Sequence, residues 1–180
     1  MAKDYLSRFY NILDEMVEGM TTAQLSDSIS HNFIVQMIPH HRAAIEMSKN
    51  LLQYTTCIPL QNIALGIIEE QTKSIENMEA ILCECSGQIN DSETVRAYQH
   101  EVNIIIDRMV CGMNSAPDTN RLNPNFMREM IPHHKGAIAL SYTALQYDIC
   151  PELAPILDAI ITSQERGVGQ MEQLLRSLGG

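Results

Sequence analysis

The pentapeptide Met-Ile-Pro-His-His occurs twice in this sequence, at residues 37–41 and 130–134. Imidazole nitrogen and thioether sulfur together form a soft-to-borderline ligand set, which suits copper first and zinc second. Met37 and His41 are one helical turn apart and would point to the same side of a helix, whereas His40 would be rotated by about 100°. The repeated motif therefore predicts a transition-metal site.

Both copies of the motif are expected to contribute ligands. Each proline cannot donate a backbone hydrogen bond, so it should interrupt its helix and let the first histidine turn toward the metal. Met78 and Met171 are additional candidates of lower rank. The sequence leaves open whether the two motifs share one site or form two. The predicted principal ligands and their softer co-ligands are His40, His41, His133 and His134, with Met37 and Met130.

Three functions fit these histidines. The leading interpretation is a metal-binding protein for storage, buffering or sensing, with copper favoured and zinc second. An oxidoreductase using the same histidines around a redox-active metal or a cofactor is the first alternative, and it needs an open coordination position. The second alternative is a metal-free interaction module whose buried histidines form a hydrogen-bond network that responds to pH. A carboxylate-bridged di-iron site is not supported, because Glu-x-x-His occurs nowhere in the chain.

The duplication extends well beyond the pentapeptide. Residues 1–87 and 94–180 agree at 31 of 87 positions when they are aligned without a gap. A tandem repeat of this kind predicts one domain, residues 1–180, made of two equivalent halves related by a pseudo-two-fold axis. The matched methionine pairs near the start of each half are expected to fill the core, since methionine on a helix face is usually flexible packing material.

Apolar residues in each half recur at three- and four-residue spacings, which predicts three helices per repeat. The expected spans are 3–19, 30–54 and 59–85 in the first half, then 93–112, 123–148 and 151–178 in the second. Gly19 and Gly112 are expected to end their helices. Asp27 and Ser28 are both candidate N-caps, and Pro59 suits a first helical turn. No segment demands a strand, so the predicted fold class is all-α.

Composition narrows the possible partners and locations. The net charge of −10 argues against nucleic-acid binding, because an acidic surface repels phosphate. The sequence shows no signal peptide and no apolar run of membrane-spanning length, so we expect a cytoplasmic protein without a membrane partner. All five cysteines are then expected to be thiols. Cys83-x-Cys85 could bind a soft metal. The favoured interpretation is that both cysteines are simply small residues near the end of a helix.

Residues 33–45 and 126–138 resemble the bacterial domain-of-unknown-function family numbered 305, whose members carry duplicated Met-x-x-His-His motifs. A second family element, a glutamine followed seven residues later by methionine, is similar to Gln71 with Met78 and to Gln164 with Met171. The resemblance covers nearly the whole chain. It implies a ferritin-like antiparallel four-helix bundle built from helices two, three, five and six. Helices one and four would pack outside the bundle or mediate a homodimer.

The chain departs from the family pattern at two pairs of positions. Relatives usually carry an acidic residue three positions before the phenylalanine, where this chain has Ser30 and Asn123. They also usually carry glutamate three positions after the glutamine, where Ser74 and Gly167 stand. The family's link to copper handling implies a copper protein. If those carboxylates hold metal in relatives, this chain would bind less tightly or hold a different ion.

Overall fold

The computed structural model describes residues 2–116, 119 and 121–179, without the side chains of residues 2 and 3. Within these residues the chain is all-α and contains no strand, as the apolar spacing predicts. Part of the predicted loop between the fourth and fifth helices, at positions 117, 118 and 120, lies outside the described residues. The helices are α1 (Ala2–Thr21), α2 (Ile29–Leu52), α3 (Ile58–Cys85), α4 (Ser92–Asn114), α5 (Leu122–Ala144) and α6 (Ala154–Ser177).

Two local signals act as expected. The backbone N–H of His31 donates to Oγ of Ser28 at 3.2 Å, which makes this serine the N-cap of α2 and satisfies one free donor of the first turn. Pro59 lies in the first turn of α3, where its missing N–H removes no helical hydrogen bond. Ser28 sets the starting point of α2, which carries the first histidine pair. Pro59 sets the starting point of α3, which packs against α2.

Gly19 and Gly112 do not end their helices, which continue to Thr21 and Asn114. Both glycines instead lie against the proline of a histidine motif. A Cβ atom on Gly19 would be 2.8 Å from Cβ of Pro39, and one on Gly112 would be 3.0 Å from Cβ of Pro132. The missing side chain therefore lets α1 and α4 approach the two motif helices, and these glycines serve packing rather than termination.

The expected interruption at Pro39 is wrong, since α2 and α5 each continue as one helix through their proline. A proline in mid-helix still leaves one carbonyl without its usual donor. Tertiary packing holds both helices together in spite of this cost, because most of α2 is buried.

The motif helices lie at the centre of the molecule. Helix α2 packs against α1, α3 and α5, and α5 packs against α2, α4 and α6. Helix α3 also contacts α6, so helix contacts connect α2, α3, α6 and α5 in turn. The paired methionines Met16, Met20, Met109 and Met113 are all buried in the core, as expected. Among the described helices, none combines the length and apolar content needed to cross a lipid bilayer.

The expectation of five thiols is wrong. Cys85 at the end of α3 and Cys150 in the connection between α5 and α6 form a disulfide, with their Cα atoms 5.3 Å apart. Cys57, Cys83 and Cys111 are free. The repeat pattern gives no sign of this pairing, because the counterpart of Cys85 in the second half is Leu178. Cys83 is exposed and Cys85 is buried, so Cys83-x-Cys85 does not present two sulfurs to one ion.

Candidate metal centre

The first histidines of the two motifs meet in the contact between α2 and α5. Their rings stack with centroids 3.7 Å apart and planes inclined by 26°. Nε2 of His40 lies 3.1 Å from the carbonyl oxygen of His133, and Nε2 of His133 lies 3.1 Å from the carbonyl oxygen of His40. Both side chains are 0% exposed. The two motifs are thus joined by a reciprocal pair of hydrogen bonds across 93 residues of sequence.

These hydrogen bonds determine where the ring protons are. A carbonyl oxygen only accepts, so Nε2 of each ring must carry the hydrogen and donate it. In the neutral imidazole the other nitrogen, Nδ1, then holds a free lone pair. Nδ1 of His40 and Nδ1 of His133 are buried and have no hydrogen-bond partner among the described residues. Each ring therefore offers an unprotonated ligand atom to the protein interior.

The second histidine of each motif flanks this pair. His41 is tilted by 51° to His40 with centroids 5.8 Å apart, and His134 is tilted by 53° to His133 with centroids 5.9 Å apart. Nδ1 of His41 and Nδ1 of His134 also lack a hydrogen-bond partner in the described part of the chain. Four buried imidazole nitrogens are consequently left without a partner, and such groups are rare in native proteins unless a ligand satisfies them.

The outer nitrogens of His41 and His134 have different neighbours. Nε2 of His41 is 3.0 Å from Oγ of Ser74. Gly167 takes the place of Ser74 in the second half, and a Cβ atom there would lie 2.9 Å from Cδ2 and 3.0 Å from Nε2 of His134. Ser74 and Gly167, where the resemblance leads us to expect a departure from the family pattern, therefore lie directly beside the histidine rings.

A cavity of about 460 Å³ lies between α3 and α6 and reaches His134. Gln71, Gln164 and Gly167 form part of its wall. Arg166 donates to Glu70 at 2.5 Å and connects the two helices beside it. The His134 ring lies against Gly167 and lines this cavity, whereas Oγ of Ser74 covers Nε2 of His41.

Burial keeps all four histidines neutral near pH 7. Desolvation lowers the pKa of His40 to about 4 and, with a smaller contribution from His40, the pKa of His134 to about 3. Desolvation, followed by the charge of neighbouring histidines, holds the pKa of His41 and of His133 well below 6.5. A neutral imidazole is the form that binds metal, so no proton competes for these nitrogens at neutral pH.

The methionines proposed as co-ligands are equally buried. Met37 is 1% exposed, and Met130, Met78 and Met171 are 0% exposed. The two glutamines of the second family element, Gln71 and Gln164, are each 2% exposed. Neither Nε2 nor Oε1 of Gln71, nor Oε1 of Gln164, has a hydrogen-bond partner within the described ranges. The repeat and the family resemblance both point to these glutamines in the sequence, and neither gives them a role in metal binding.

The four histidines do not form a compact preassembled cluster. In the part of the chain that the structure describes, one group contains at least three His, Cys, Asp or Glu residues whose ligand atoms lie within 4.8 Å of one another. Its members are Cys85, Cys150 and Glu152. The sequence signal had not pointed to Cys150 or Glu152 as ligands. Rotation of the imidazole rings about their side-chain bonds would be needed to bring three histidine nitrogens onto one ion.

The sequence matches the family described as Domain of unknown function (DUF305) over residues 11–82 and 123–180, and the chain belongs to this family. No curated protein matches the sequence.

Solved structures share the fold. A DUF305 fragment from Deinococcus radiodurans is 24% identical with a TM-score of 0.60, and the match covers 86% of this chain and 98% of that one. The protein CopM in its silver-bound form is 24% identical with a TM-score of 0.64, covering 86% of this chain and 100% of CopM. Its Cu(II)-bound form is 24% identical with a TM-score of 0.61, covering 82% and 97%.

Proposed function

We propose that this protein binds a soft transition-metal ion, with copper favoured over zinc, for storage, buffering or sensing. The observation that carries the proposal is the set of four buried Nδ1 atoms, each without a hydrogen-bond partner in the described structure. Leaving a buried polar atom unsatisfied costs about 1–3 kcal/mol, and four of them in one duplicated motif represent a large cost for packing alone. A metal ion that accepts these lone pairs would remove that cost.

The chemistry of the donors favours copper. His40, His41, His133 and His134 supply borderline nitrogen ligands, while Met37 and Met130 on the same two helices supply soft sulfur. CopM, which shares the fold, has silver- and Cu(II)-bound forms, and silver is a soft monovalent ion like Cu(I). Hydrogen bonds from Nε2 of His40 and His133 to backbone carbonyls would orient both rings and raise the basicity of Nδ1.

The proposed architecture follows from the contacts of the motif helices. Helices α2, α3, α5 and α6 would form a ferritin-like antiparallel four-helix bundle, with the reciprocal His40–His133 contact on its pseudo-two-fold axis. Residues 1–180 would then be one domain composed of repeats 1–87 and 94–180. The outer helices α1 and α4, each packed on one motif helix, remain the proposed surface for a homodimer.

One observation favours a second candidate function. The cavity that reaches His134 could admit a small substrate to a metal held by the histidines, as an oxidoreductase requires. Metal-dependent turnover of peroxide or of a small reductant would distinguish this enzyme from a binding protein. The metal-free interaction module differs from both, since a chelator would leave its stability and its partners unaffected.

The test is a metal titration of a variant in which Cys57, Cys83 and Cys111 are changed to serine, kept in its disulfide form so that thiols do not contribute. We expect saturable binding of Cu(I) that His41→Ala combined with His134→Ala abolishes. The matched control is His31→Ala with His100→Ala, which changes the other two histidines and should leave the stoichiometry intact. Circular dichroism would verify that each variant keeps its helices, and His→Gln replacements at positions 41 and 134 provide a second pair if the alanine variants unfold.

Equal copper stoichiometry in the two double variants would refute the assignment of His41 and His134. Absence of tight binding for Cu(I), Cu(II) and Zn(II) in the folded starting protein would refute metal binding altogether, and the four histidines would then be a structural hydrogen-bond network.

A further inference from the structure

A second ligand cluster lies away from the histidines, at the N-terminal end of α2. Sγ of Cys85, Sγ of Cys150 and a carboxylate oxygen of Glu152 all lie within 4.8 Å of one another. The two cysteines form the disulfide and are 0% and 3% exposed, whereas Glu152 is exposed. Oε2 of Glu152 lies 2.8 Å from Sγ of Cys150. Three potential metal ligands from the end of α3 and the α5–α6 connection are therefore already together.

The backbones of both cysteines are fixed independently of the disulfide. Oγ of Ser28 donates to the carbonyl oxygen of Cys85 at 3.0 Å, and the N–H of Cys150 donates to Oγ of Ser30 at 2.8 Å. Nearby, Asn90 accepts from the N–H of Ile29 at 2.9 Å and donates to the carbonyl oxygen of Asp148 at 2.7 Å. Reduction of the disulfide leaves all four hydrogen bonds intact, so the two sulfurs should remain neighbours in the reduced protein.

The backbones of the two cysteines lie at the start of α2, where the helix carries a positive partial charge. Ser28 is the N-cap of α2 and Ser30 lies in its first turn, so both cysteines are bonded to the positive end of this helix. The thiolate is the form of cysteine that binds metal, and a bound cation would offset the repulsion between two thiolates and the Glu152 carboxylate. Two thiolates and a carboxylate fit a thiophilic cation with a filled d shell, such as Zn(II), Cd(II) or Cu(I). The exposed Glu152 would let such an ion approach from solvent.

We propose that Cys85, Cys150 and Glu152 form a redox-gated site for a thiophilic metal ion, separate from the histidine centre. A dithiol or phosphine reductant supplies two electrons to the disulfide, and two protons give two thiols. A divalent ion then binds both sulfurs and releases these protons. A small-molecule disulfide reverses the process: it takes two electrons from the metal-bound thiolates and two protons from solvent, forms two small thiols, regenerates the protein disulfide and frees the ion.

The experiment uses the variant with serine at positions 57, 83 and 111, so that Cys85 and Cys150 are the cysteines that remain. One sample is oxidised, and another is reduced with a phosphine and desalted without oxygen. Each is titrated with Cd(II), and thiolate-to-cadmium charge-transfer absorption in the ultraviolet is recorded. We expect one Cd(II) per chain with this absorption in the reduced sample and none in the oxidised one. Histidine-bound Cd(II) gives no such band, which separates this result from the outcome at the histidine centre.

Two further variants test the individual ligands. Cys150→Ser in the same background should abolish the absorption. Glu152→Gln changes an exposed side chain, so it should fold normally and weaken Cd(II) binding by at least about tenfold, as loss of supporting ligands usually does. The proposal is overturned if the reduced starting variant shows no thiolate–cadmium band, or if Cys150→Ser keeps the band at full strength. An unchanged affinity in Glu152→Gln would remove the carboxylate from the site.

Discussion

Nε2 of His41 lies 3.0 Å from Oγ of Ser74, whereas the equivalent nitrogen of His134 faces Gly167 and the cavity between α3 and α6. The second histidines of the two halves therefore have different neighbours, although both are buried. If metal enters through this cavity, His134 is the first ligand that it meets. Ser74 and Gly167 occupy equivalent positions beside these two rings, so their side chains can be exchanged between the halves.

We expect Gly167→Ser to slow metal loading, because a Cβ atom there would lie 2.9 Å from the His134 ring and would narrow the approach to it. Ser74→Gly removes the corresponding obstruction at His41 and should speed loading. Stopped-flow measurement of copper uptake by both variants checks this expectation. Equal rates in the two variants and the natural protein would show that entry follows another route.

The stability of the metal-free protein should fall in acid. Desolvation lowers the pKa of His40 to about 4 from its ordinary value of 6.5, and it shifts the other three buried histidines in the same direction. The unfolded chain therefore binds more protons than the folded one between about pH 6.5 and 4. The stabilising contribution is complete above pH 6.5 and is lost as the pH falls through this window, with His40 alone accounting for on the order of 3 kcal/mol.

Urea unfolding at several pH values measures this dependence. A His40→Gln variant should show a shallower slope than the natural protein, whereas His100→Gln, which changes an exposed histidine, should keep the original slope. Bound metal should move the acid transition to lower pH, because metal and protons compete for the same nitrogens. A stability profile that is flat from pH 7 to 4 would contradict the buried neutral state of the histidines.

Gly19→Ala should destabilise the protein although alanine favours helices. Its Cβ atom would lie 2.8 Å from Cβ of Pro39, and overpacking of this kind costs about 1–3 kcal/mol. Gly169→Ala is the matched control in α6, since no atom lies within 4 Å of its added Cβ. That change should stabilise by about 0.5–1 kcal/mol through helix propensity. Chemical denaturation measures both, and a stabilised Gly19→Ala variant would show that α1 can move away from the proline at no cost.

Loss of the reciprocal hydrogen bonds should loosen the contact between α2 and α5. In His133→Phe the ring volume is retained, but the carbonyl oxygen of His40 loses its imidazole donor. This oxygen keeps its helical donor, so the net contribution of one hydrogen bond is lost, and the free energy of unfolding should decrease by about 0.5–1.5 kcal/mol in metal-free protein. His100→Phe, which changes an exposed histidine in α4, provides a comparison of the same substitution outside the centre. Equal effects at the two positions would argue against a special role for the His40–His133 contact.

Much of the fold could be predicted from local signals. Spacings of three and four residues predicted all six helices, and Ser28 and Pro59 marked helix starts because capping and proline geometry act within one turn. Helix ends were less predictable. Gly19 resembles a terminator in sequence, but its real constraint is the neighbouring Pro39, which belongs to another helix.

By itself, the sequence determined the all-α class, the duplicated motif and the identity of the candidate ligands, because periodicity and residue chemistry are local properties. Only the tertiary structure decided which nitrogens are free. The Nε2 atom of His40 is bound by a carbonyl 93 residues away, and this contact leaves Nδ1 without a partner. The same holds for Cys85 and Cys150, which are 65 residues apart and become neighbours only when α3 and the α5–α6 connection pack at the start of α2. Contacts between distant segments depend on how whole helices pack, and no spacing along the chain encodes them.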